Sequence, residues 1–207
     1  MKKIIVEFIG TFFLVLTIGL AGINPGIDAL VPLVIGSVLM VMVYAGGHVS
    51  GAHYNPAVTI AAAIRGACKR SEVVPYITAQ VFGALAAGLV VGFFRYEEVA
   101  APITFNSIPA LLTAEFLFTF ALCYVVLNVA TSKSTNGNSY YGLAIGFTVM
   151  VGVFCVGPIS GGVFNPAVAV GLISQNILSI GSAWLYFLAQ FAGAVLAAFV
   201  YKVVVEE

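Results

Sequence analysis

Charged side chains are scarce in this chain. Of its 207 residues, 8% are Asp, Glu, Lys or Arg, whereas 61% are hydrophobic. A soluble domain usually carries roughly 25% charged residues, so this sequence lacks the polar surface that a soluble fold requires. Eight basic and eight acidic residues leave no net charge, which argues against nucleic acid as a partner. The composition predicts an integral membrane protein with a single domain, residues 1–207.

Residues that bind metals or form disulfides are also few. The sequence contains three cysteines and two histidines. Cys68, Cys123 and Cys155 lie in apolar runs without metal-ligand spacing, and their odd number argues against a disulfide framework. The sequence pairs no nucleophile with a base and contains no phosphate-binding loop. We therefore expect packing cysteines, no metal site, no cofactor and no enzymatic activity.

Apolar runs long enough to cross a bilayer recur along the chain. A spanning helix needs about 20 apolar residues. The candidate spans are Ile4–Leu20, Val31–Gly47, Val74–Phe94, Ile108–Val129, Tyr140–Val156 and Ala183–Tyr201. The first could also be a signal peptide because Lys2 and Lys3 precede it, but Glu7 inside the run favours an uncleaved helix. The pattern predicts an all-α membrane protein with six transmembrane helices.

The basic residues fall almost entirely on one side of these six spans. Seven of them share that side: Lys2, Lys3, Arg65, Lys69, Arg70, Lys133 and Lys202. Only Arg95 falls on the other. Because basic residues collect in cytoplasmic loops, both termini are expected in the cytoplasm. The short termini and the lack of targeting features suggest a prokaryotic inner membrane.

The chain contains an internal repeat. The segment His48–Val58 aligns without a gap with Pro158–Val168, and the sequence around Glu7 matches that around Glu115. Each half holds three predicted spans. Because three is odd, the second half must be inverted relative to the first, and inverted repeats meet near the bilayer midplane. The two halves are approximately residues 1–98 and 108–207.

Each repeated segment contains Asn-Pro followed by a short apolar stretch. Asn55 and Asn165 are of a type preferred as a helix N-cap, and proline suits the first helical position. We predict two re-entrant half-helices, Pro56–Ile64 and Pro166–Ile173, whose capping asparagines keep a free amide donor near the midplane. The positive ends of both helix dipoles converge there, which disfavours a cation.

The five residues before each asparagine are expected to be extended, with exposed carbonyls. Irregular backbone at membrane depth is tolerated where it lines a water-filled cavity or is buried in protein. The candidate acceptors are Gly51, Ala52, His53 and Tyr54 in the first half and Gly161, Gly162 and Val163 in the second. Acceptors along a path with paired donors at its middle indicate a pore for uncharged solutes.

These features resemble the aquaporin (major intrinsic protein) family. Each half has a Glu-Phe-x-x-Thr start, and Gly47–Thr59 carries the family pattern. The two motifs that carry the resemblance are Asn55, Pro56 and Ala57, and Asn165, Pro166 and Ala167. The resemblance covers the whole chain. It implies six helices plus two re-entrant half-helices in an inverted repeat, a pore in each monomer and a homotetramer in the lipid bilayer.

Four polar residues in or near the loops are assigned roles, two of them with the help of this resemblance. In the family, the carboxylates corresponding to Glu7 and Glu115 lie inside the bundle and hold the re-entrant loops. Their duplicated placement, with no basic partner in the spans, favours loop support by accepting backbone N–H groups. A proton relay is the alternative, because an intramembrane carboxylate is a functional candidate by default. We interpret His48 as structural support for the first loop, and His53 as contributing mainly its carbonyl.

The sequence departs from the family at the outer constriction. Most relatives place an arginine after the second motif, where this chain has Val168; spacing assigns the other constriction positions to Ile35, Val153 and Gly162. These side chains are shorter than those usual in the family, so the constriction should be wide, and valine donates no hydrogen bond, so it should be apolar. A wide ring stays wet and passes small solutes, whereas a narrow one favours dewetting. Arg95 could replace the missing charge, or snorkel beside acidic neighbours.

The function expected from these observations is a passive channel for water and small uncharged solutes such as glycerol or urea. Loss of the arginine should weaken proton exclusion without abolishing it. Two alternatives stay open at this point. One is a non-conducting or gated membrane scaffold with the same fold. The other is an ion- or proton-coupled transporter, which would need titratable residues facing a midplane cavity.

Overall fold

The computed structural model describes residues 1–24, 26–94 and 102–205. Eight α-helices occupy these ranges: α1 Lys2–Ala21, α2 Val31–Ser50, α3 Pro56–Arg65, α4 Arg70–Phe94, α5 Ile108–Thr131, α6 Tyr141–Ser160, α7 Pro166–Ser174 and α8 Ala183–Val205. Short 3₁₀ turns lie at Asp28–Leu30, Lys133–Thr135 and Ile180–Ser182. Arg95 and its acidic neighbours Glu97 and Glu98, considered above for the outer side, lie outside the described residues.

Six of the described helices are long and apolar enough to cross a membrane, and they coincide with the six predicted runs. The helices α3 and α7 contain 10 and 9 residues and are too short to do so. Large apolar side chains cover the outside of the bundle; Leu89 and Phe93, for example, are each 79% exposed. A surface of this kind requires lipid or protein around it. The predicted all-α membrane fold is confirmed.

Two pairs of long helices cross closely at glycine residues. Helix α1 crosses α4, and α5 crosses α8. A Cβ atom added to Gly83 would lie 2.6 Å from the carbonyl oxygen of Phe8, and one added to Gly193 would lie 2.5 Å from that of Phe116. Small residues at a helix crossing let two backbones approach closely in a membrane. The same crossing therefore occurs once in each half of the chain.

The two short helices join the halves together. Helix α3 packs most extensively against α8 of the second half, and α7 packs most extensively against α4 of the first. Their N-terminal ends face each other inside the bundle, because Asn55 contacts the residue that precedes Asn165. This arrangement places both Asn-Pro motifs at one point within the protein.

Candidate permeation site

The asparagine side chains cap the half-helices. Asn55 Oδ1 accepts the backbone N–H of Ala57 at 2.8 Å, and Asn165 Oδ1 accepts that of Ala167 at 2.9 Å. Proline occupies the first position of both helices. The observed helices each extend one residue beyond the predicted ends, to Arg65 and Ser174. The local preference of Asn-Pro for a helix start thus accounts for where both helices begin.

The amide nitrogens of the two asparagines point across to the opposite half. Asn55 Nδ2 donates to the carbonyl of Phe164 at 3.0 Å, and Asn165 Nδ2 donates to the carbonyl of Tyr54 at 2.9 Å. An amide NH₂ group carries two hydrogens. The expectation that these donors are free is therefore only half right, because one hydrogen of each amide is already bonded and one remains.

The loops before the asparagines are not extended, contrary to the sequence-based expectation. Helices α2 and α6 continue through Ser50 and Ser160, which leaves four residues rather than five. In the first loop, φ is +88° at Gly51 and +48° at Tyr54. The equivalent positions of the second loop have nearly the same values, +88° and +49°. This left-handed backbone turns the chain sharply toward the half-helix.

The carboxylate of Glu7 holds the first loop in this conformation. Its oxygens accept the backbone N–H groups of His53 and Tyr54 at 3.0 and 2.7 Å, the hydroxyl of Ser50 at 2.6 Å and the amide of Gln80 at 2.8 Å. A bulky residue in the left-handed region costs roughly 1–2 kcal/mol. Four donors converging on one buried acceptor offset that strain.

The carboxylate of Glu115 repeats the arrangement in the second loop. It accepts the N–H groups of Val163 and Phe164 at 3.0 and 2.8 Å, the hydroxyl of Ser160 at 2.7 Å and the amide of Gln190 at 2.8 Å. Both carboxylates are fully buried, and neither is among the residues that line the central cavity. Their contacts favour loop support over the proton relay.

Two tyrosines belong to the same networks and were not identified from the sequence. The hydroxyl of Tyr76 donates to the carbonyl of Ser50 at 2.8 Å, and that of Tyr186 donates to the carbonyl of Ser160 at 2.7 Å. Both tyrosines are buried. They occupy matching positions of the internal repeat, and that correspondence was the available signal. Each tyrosine fixes the last turn of the helix that leads into a loop.

A narrow cavity of about 50 Å³ lies where the two half-helices meet. This volume exceeds the roughly 10–15 Å³ that a cavity needs to admit one water molecule. Apolar side chains form most of its wall, including Leu14, Leu39, Val58, Leu122, Val126 and Val149. The polar side chains in its lining are those of Asn55, Asn165 and His53.

The four constriction positions do not all line this cavity. Ile35, Gly162 and Val168 do so, whereas Val153 is not among the lining residues. Val153 instead packs against the second loop, since a Cβ added to Gly162 would lie 3.3 Å from Val153 Cγ2. The lining at this end of the cavity consists of small and apolar groups.

The candidate acceptors of the loops are distributed over three environments. Ala52, His53, Gly161, Gly162 and Val163 line the central cavity. Gly51 lies in a separate, wider vestibule lined also by His48 and Lys133. The carbonyl of Tyr54 accepts the amide of Asn165. The carbonyl of Phe164 accepts the amide of Asn55 in the same way. Phe164 is not among the acceptors predicted from the sequence, although it aligns with Tyr54.

The two histidines differ in their surroundings. His53 Nδ1 lies 3.1 Å from Thr59 Oγ1, whose single hydrogen is donated to the carbonyl of Asn55. The His53 ring and the Thr59 hydroxyl are therefore hydrogen-bonded partners, so this residue contributes its ring to the loop as well as its backbone. His48 is exposed and its side chain has no hydrogen-bond partner in the described part of the chain, so its expected support of the loop is not seen.

Known proteins share this chain's sequence and architecture. The family model described as major intrinsic protein matches residues 1–152 and 109–207. Aquaporin NIP1-1 of Oryza sativa subsp. japonica is 40% identical, over 98% of this chain and 74% of its own length. Nodulin-26 of Glycine max is 34% identical, over 99% and 78%. The solved aquaglyceroporin of Plasmodium falciparum has a TM-score of 0.81 and 20% identity, over 98% and 96%.

The fold and the site together define an integral membrane channel. Six apolar helices surround two short helices that meet end to end at a narrow internal cavity. The chain belongs to the major intrinsic protein family. It is a channel for water and small solutes rather than an enzyme, and the scaffold interpretation is not favoured.

Proposed function

We propose that water and small uncharged solutes such as glycerol and urea cross passively through the cavity between α3 and α7, with one pore in each monomer. The observation that carries this proposal is the reciprocal bonding of the two asparagine amides. It orients one remaining hydrogen of each amide at the point where the half-helices meet. A solute oxygen passing that point can accept both.

The electrostatics of the cavity favour neutral solutes. No Asp, Glu, Lys or Arg of the described chain is among its lining residues. The N-terminal ends of α3 and α7 each carry a partial positive charge equivalent to roughly half an elementary charge. Two such ends at one point repel a cation, and the cavity lining holds no carboxylate to offset that repulsion.

The outer constriction admits solutes larger than water because its candidate lining is short. We assign it to Ile35, Val153, Gly162 and Val168. Val153 contributes by packing against Gly162 rather than by lining the cavity. A valine in place of an arginine removes five N–H donors and a permanent charge. The ring then selects weakly among neutral solutes and gives up one barrier to protons, which leaves the two half-helix dipoles as the main barrier.

The names of the relatives agree with this solute class. One of the two sequence relatives is called an aquaporin, and the solved structure is called an aquaglyceroporin. Neither name specifies a solute for this chain. The small constriction residues are therefore the reason to include glycerol and urea.

The proposed channel sits in a lipid bilayer as a homotetramer, with its termini in the cytoplasm. An even number of spans puts both termini on one face, and the basic residues of that face favour the cytoplasmic side. The inverted halves are residues 1–98 and 108–207. The sequence relatives named above are plant proteins, so they give no support to the expectation of a prokaryotic inner membrane.

Light scattering of vesicles that contain the purified protein tests this function. The wild-type protein should speed shrinkage in sucrose and reswelling in glycerol. Val168→Arg should slow the glycerol phase while retaining water flow, because it narrows and charges the ring. Val168→Leu is the matched control, adding bulk without charge. Wild-type rates equal to those of empty vesicles for both solutes would contradict the proposal.

A further inference from the structure

Two cavities on the outside of the bundle adjoin each other near the beginning of α1. The first is a polar pocket, defined by Lys2, Lys3, His48, Ser71 and Glu72. The second is an apolar groove between α1 and α4, defined by Ile5, Phe8, Val74 and Phe82. Ile4 and Pro75 line both. The charged pocket is therefore continuous with the apolar groove.

Two positively charged groups of the pocket residues have no acidic partner among the described residues, the Met1 α-amino group and Lys2. Lys3 Nζ forms an ion pair with Glu72 at 2.8 Å, which neutralises both groups. Lys2 makes no ion pair within the described residues, and its side chain is exposed. A group with a single negative charge, such as a phosphodiester, balances the charge of Lys2.

The same pocket contains a residue, Ser71, whose backbone carbonyl lacks its regular helical donor. Pro75 lies inside α4 and has no N–H to donate to the carbonyl of Ser71, four residues earlier. That carbonyl and the Ser71 hydroxyl both belong to a residue that lines the pocket. A headgroup hydroxyl can therefore donate to the Ser71 carbonyl while the phosphate lies near Lys2.

The groove continues from this pocket along a surface that faces hydrocarbon. Val74 and Phe82 are 71% and 60% exposed in the monomer. Both lie on a helix that is long and apolar enough to span the membrane. We propose that the pocket and the groove form a binding site for one anionic phospholipid, whose phosphate lies beside Lys2 and whose acyl chain occupies the groove.

The internal repeat restricts this site to one leaflet. By the alignment of Glu7 with Glu115, the counterparts of Lys2 and Lys3 are Ala110 and Leu111. By the alignment of Gln80 with Gln190, the counterparts of Ser71 and Pro75 are Gly181 and Leu185. The opposite leaflet thus meets an equivalent helix pair that lacks the cation, the hydroxyl and the proline. Selectivity for an anionic lipid resides on the face of the termini alone.

Native mass spectrometry of the detergent-purified full chain measures lipid binding at this site directly. The measurement does not depend on whether the pore conducts. Dioleoylphosphatidylglycerol should bind about fivefold more tightly than dioleoylphosphatidylcholine, which has the same acyl chains, since one lysine near an anionic group contributes on that scale. Lys2→Gln should reduce the preference, because the Met1 α-amino group remains in the pocket. Lys202→Gln, the matched control, removes one positive charge from the same face and should preserve it.

A second pair of variants tests the groove. Val74→Trp fills it and should weaken binding of the phosphatidylglycerol, whereas Leu89→Trp, at an exposed position further along α4, should not. The proposal is overturned if the two lipids bind equally to the wild-type chain, or if Lys2→Gln and Lys202→Gln have equal effects. Displacement of the lipid by inorganic phosphate at matching concentration would overturn it in favour of an ion site. Dissociation of the oligomer by Val74→Trp would overturn it in favour of a subunit interface.

Discussion

The side-chain amide of Asn55 donates to the backbone carbonyl of Phe164 at 3.0 Å, across the meeting point of the two half-helices. The reverse bond runs from the second motif to the first loop at 2.9 Å. Each re-entrant loop therefore completes the hydrogen bonding of the other. Because the bonded carbonyls belong to residues with left-handed backbone, the two loops must adopt their conformations together. The orientation of the two amide donors in the cavity therefore depends on both halves of the chain.

Replacing Asn55 by aspartate separates its capping role from its donor role. The Asn55→Asp side chain retains an oxygen to cap α3, since aspartate is as good an N-cap as asparagine. It loses the NH₂ group and adds a negative charge in the cavity, so we expect this variant to fold and to raise proton or cation leakage. A pH-sensitive dye inside reconstituted vesicles measures this flux. A leak no greater than that of the wild-type channel would contradict the proposed electrostatic barrier.

Removing the charge of Glu115 should destabilise the fold. Glutamine keeps one acceptor oxygen but places an NH₂ group among N–H and O–H donors. Hydrogen bonds to a charged group contribute about 1.5–3 kcal/mol each, so Glu115→Gln should lower the free energy of unfolding by about 2 kcal/mol or more. Far-ultraviolet circular dichroism during heating in detergent provides the measurement.

Glu72→Gln is the control for that measurement, because it disrupts a partly exposed ion pair. Such a pair contributes about 0–1 kcal/mol. Equal melting temperatures for the two variants would argue against loop support by Glu115. A normal melting temperature combined with loss of proton-dependent flux would favour the proton relay instead.

The two equivalent glutamines should differ in their contribution to stability. Gln80 donates both to Glu7 at 2.8 Å and to Thr59 at 3.0 Å. Gln190 donates only to Glu115 among its described partners, because alanine replaces threonine in the second half. We expect Gln80→Ala to destabilise the protein by about 1 kcal/mol more than Gln190→Ala. Chemical unfolding of the two variants side by side measures the difference, and a larger loss for Gln190→Ala would contradict this interpretation of the asymmetry.

Two glycines on α4 offer a matched test of helix crossing. A Cβ at Gly83 would lie 2.6 Å from the carbonyl of Phe8, whereas one at Gly92 would meet no atom of the described residues within 4 Å. Gly83→Ala should therefore force α1 and α4 apart and lower stability by about 1–3 kcal/mol. Gly92→Ala should be neutral or stabilise the helix by up to about 1 kcal/mol. Thermal unfolding in one detergent compares them, and similar melting temperatures would rule out close packing at Gly83.

Much of the helical architecture follows from local sequence. Each predicted span coincides with an observed helix, because an uninterrupted apolar run of that length has few other stable conformations in a bilayer. The starts of α3 and α7 were predicted to the residue, since Asn-Pro caps and begins a helix locally. The loop residues before them were wrongly predicted as extended. The left-handed turn at Tyr54 depends on Glu7, 47 residues away.

The sequence by itself determined that this chain spans a membrane, how many times it does so, and that it repeats one unit with two capped half-helices. Composition, apolar run length and local capping preferences are sufficient for those conclusions. Tertiary structure alone decided that each asparagine amide bonds to the opposite loop, that Tyr76 and Tyr186 anchor the loop entrances, and that Val153 packs behind Gly162. These relationships join groups distant in the chain, and their geometry exists only once the helices have packed.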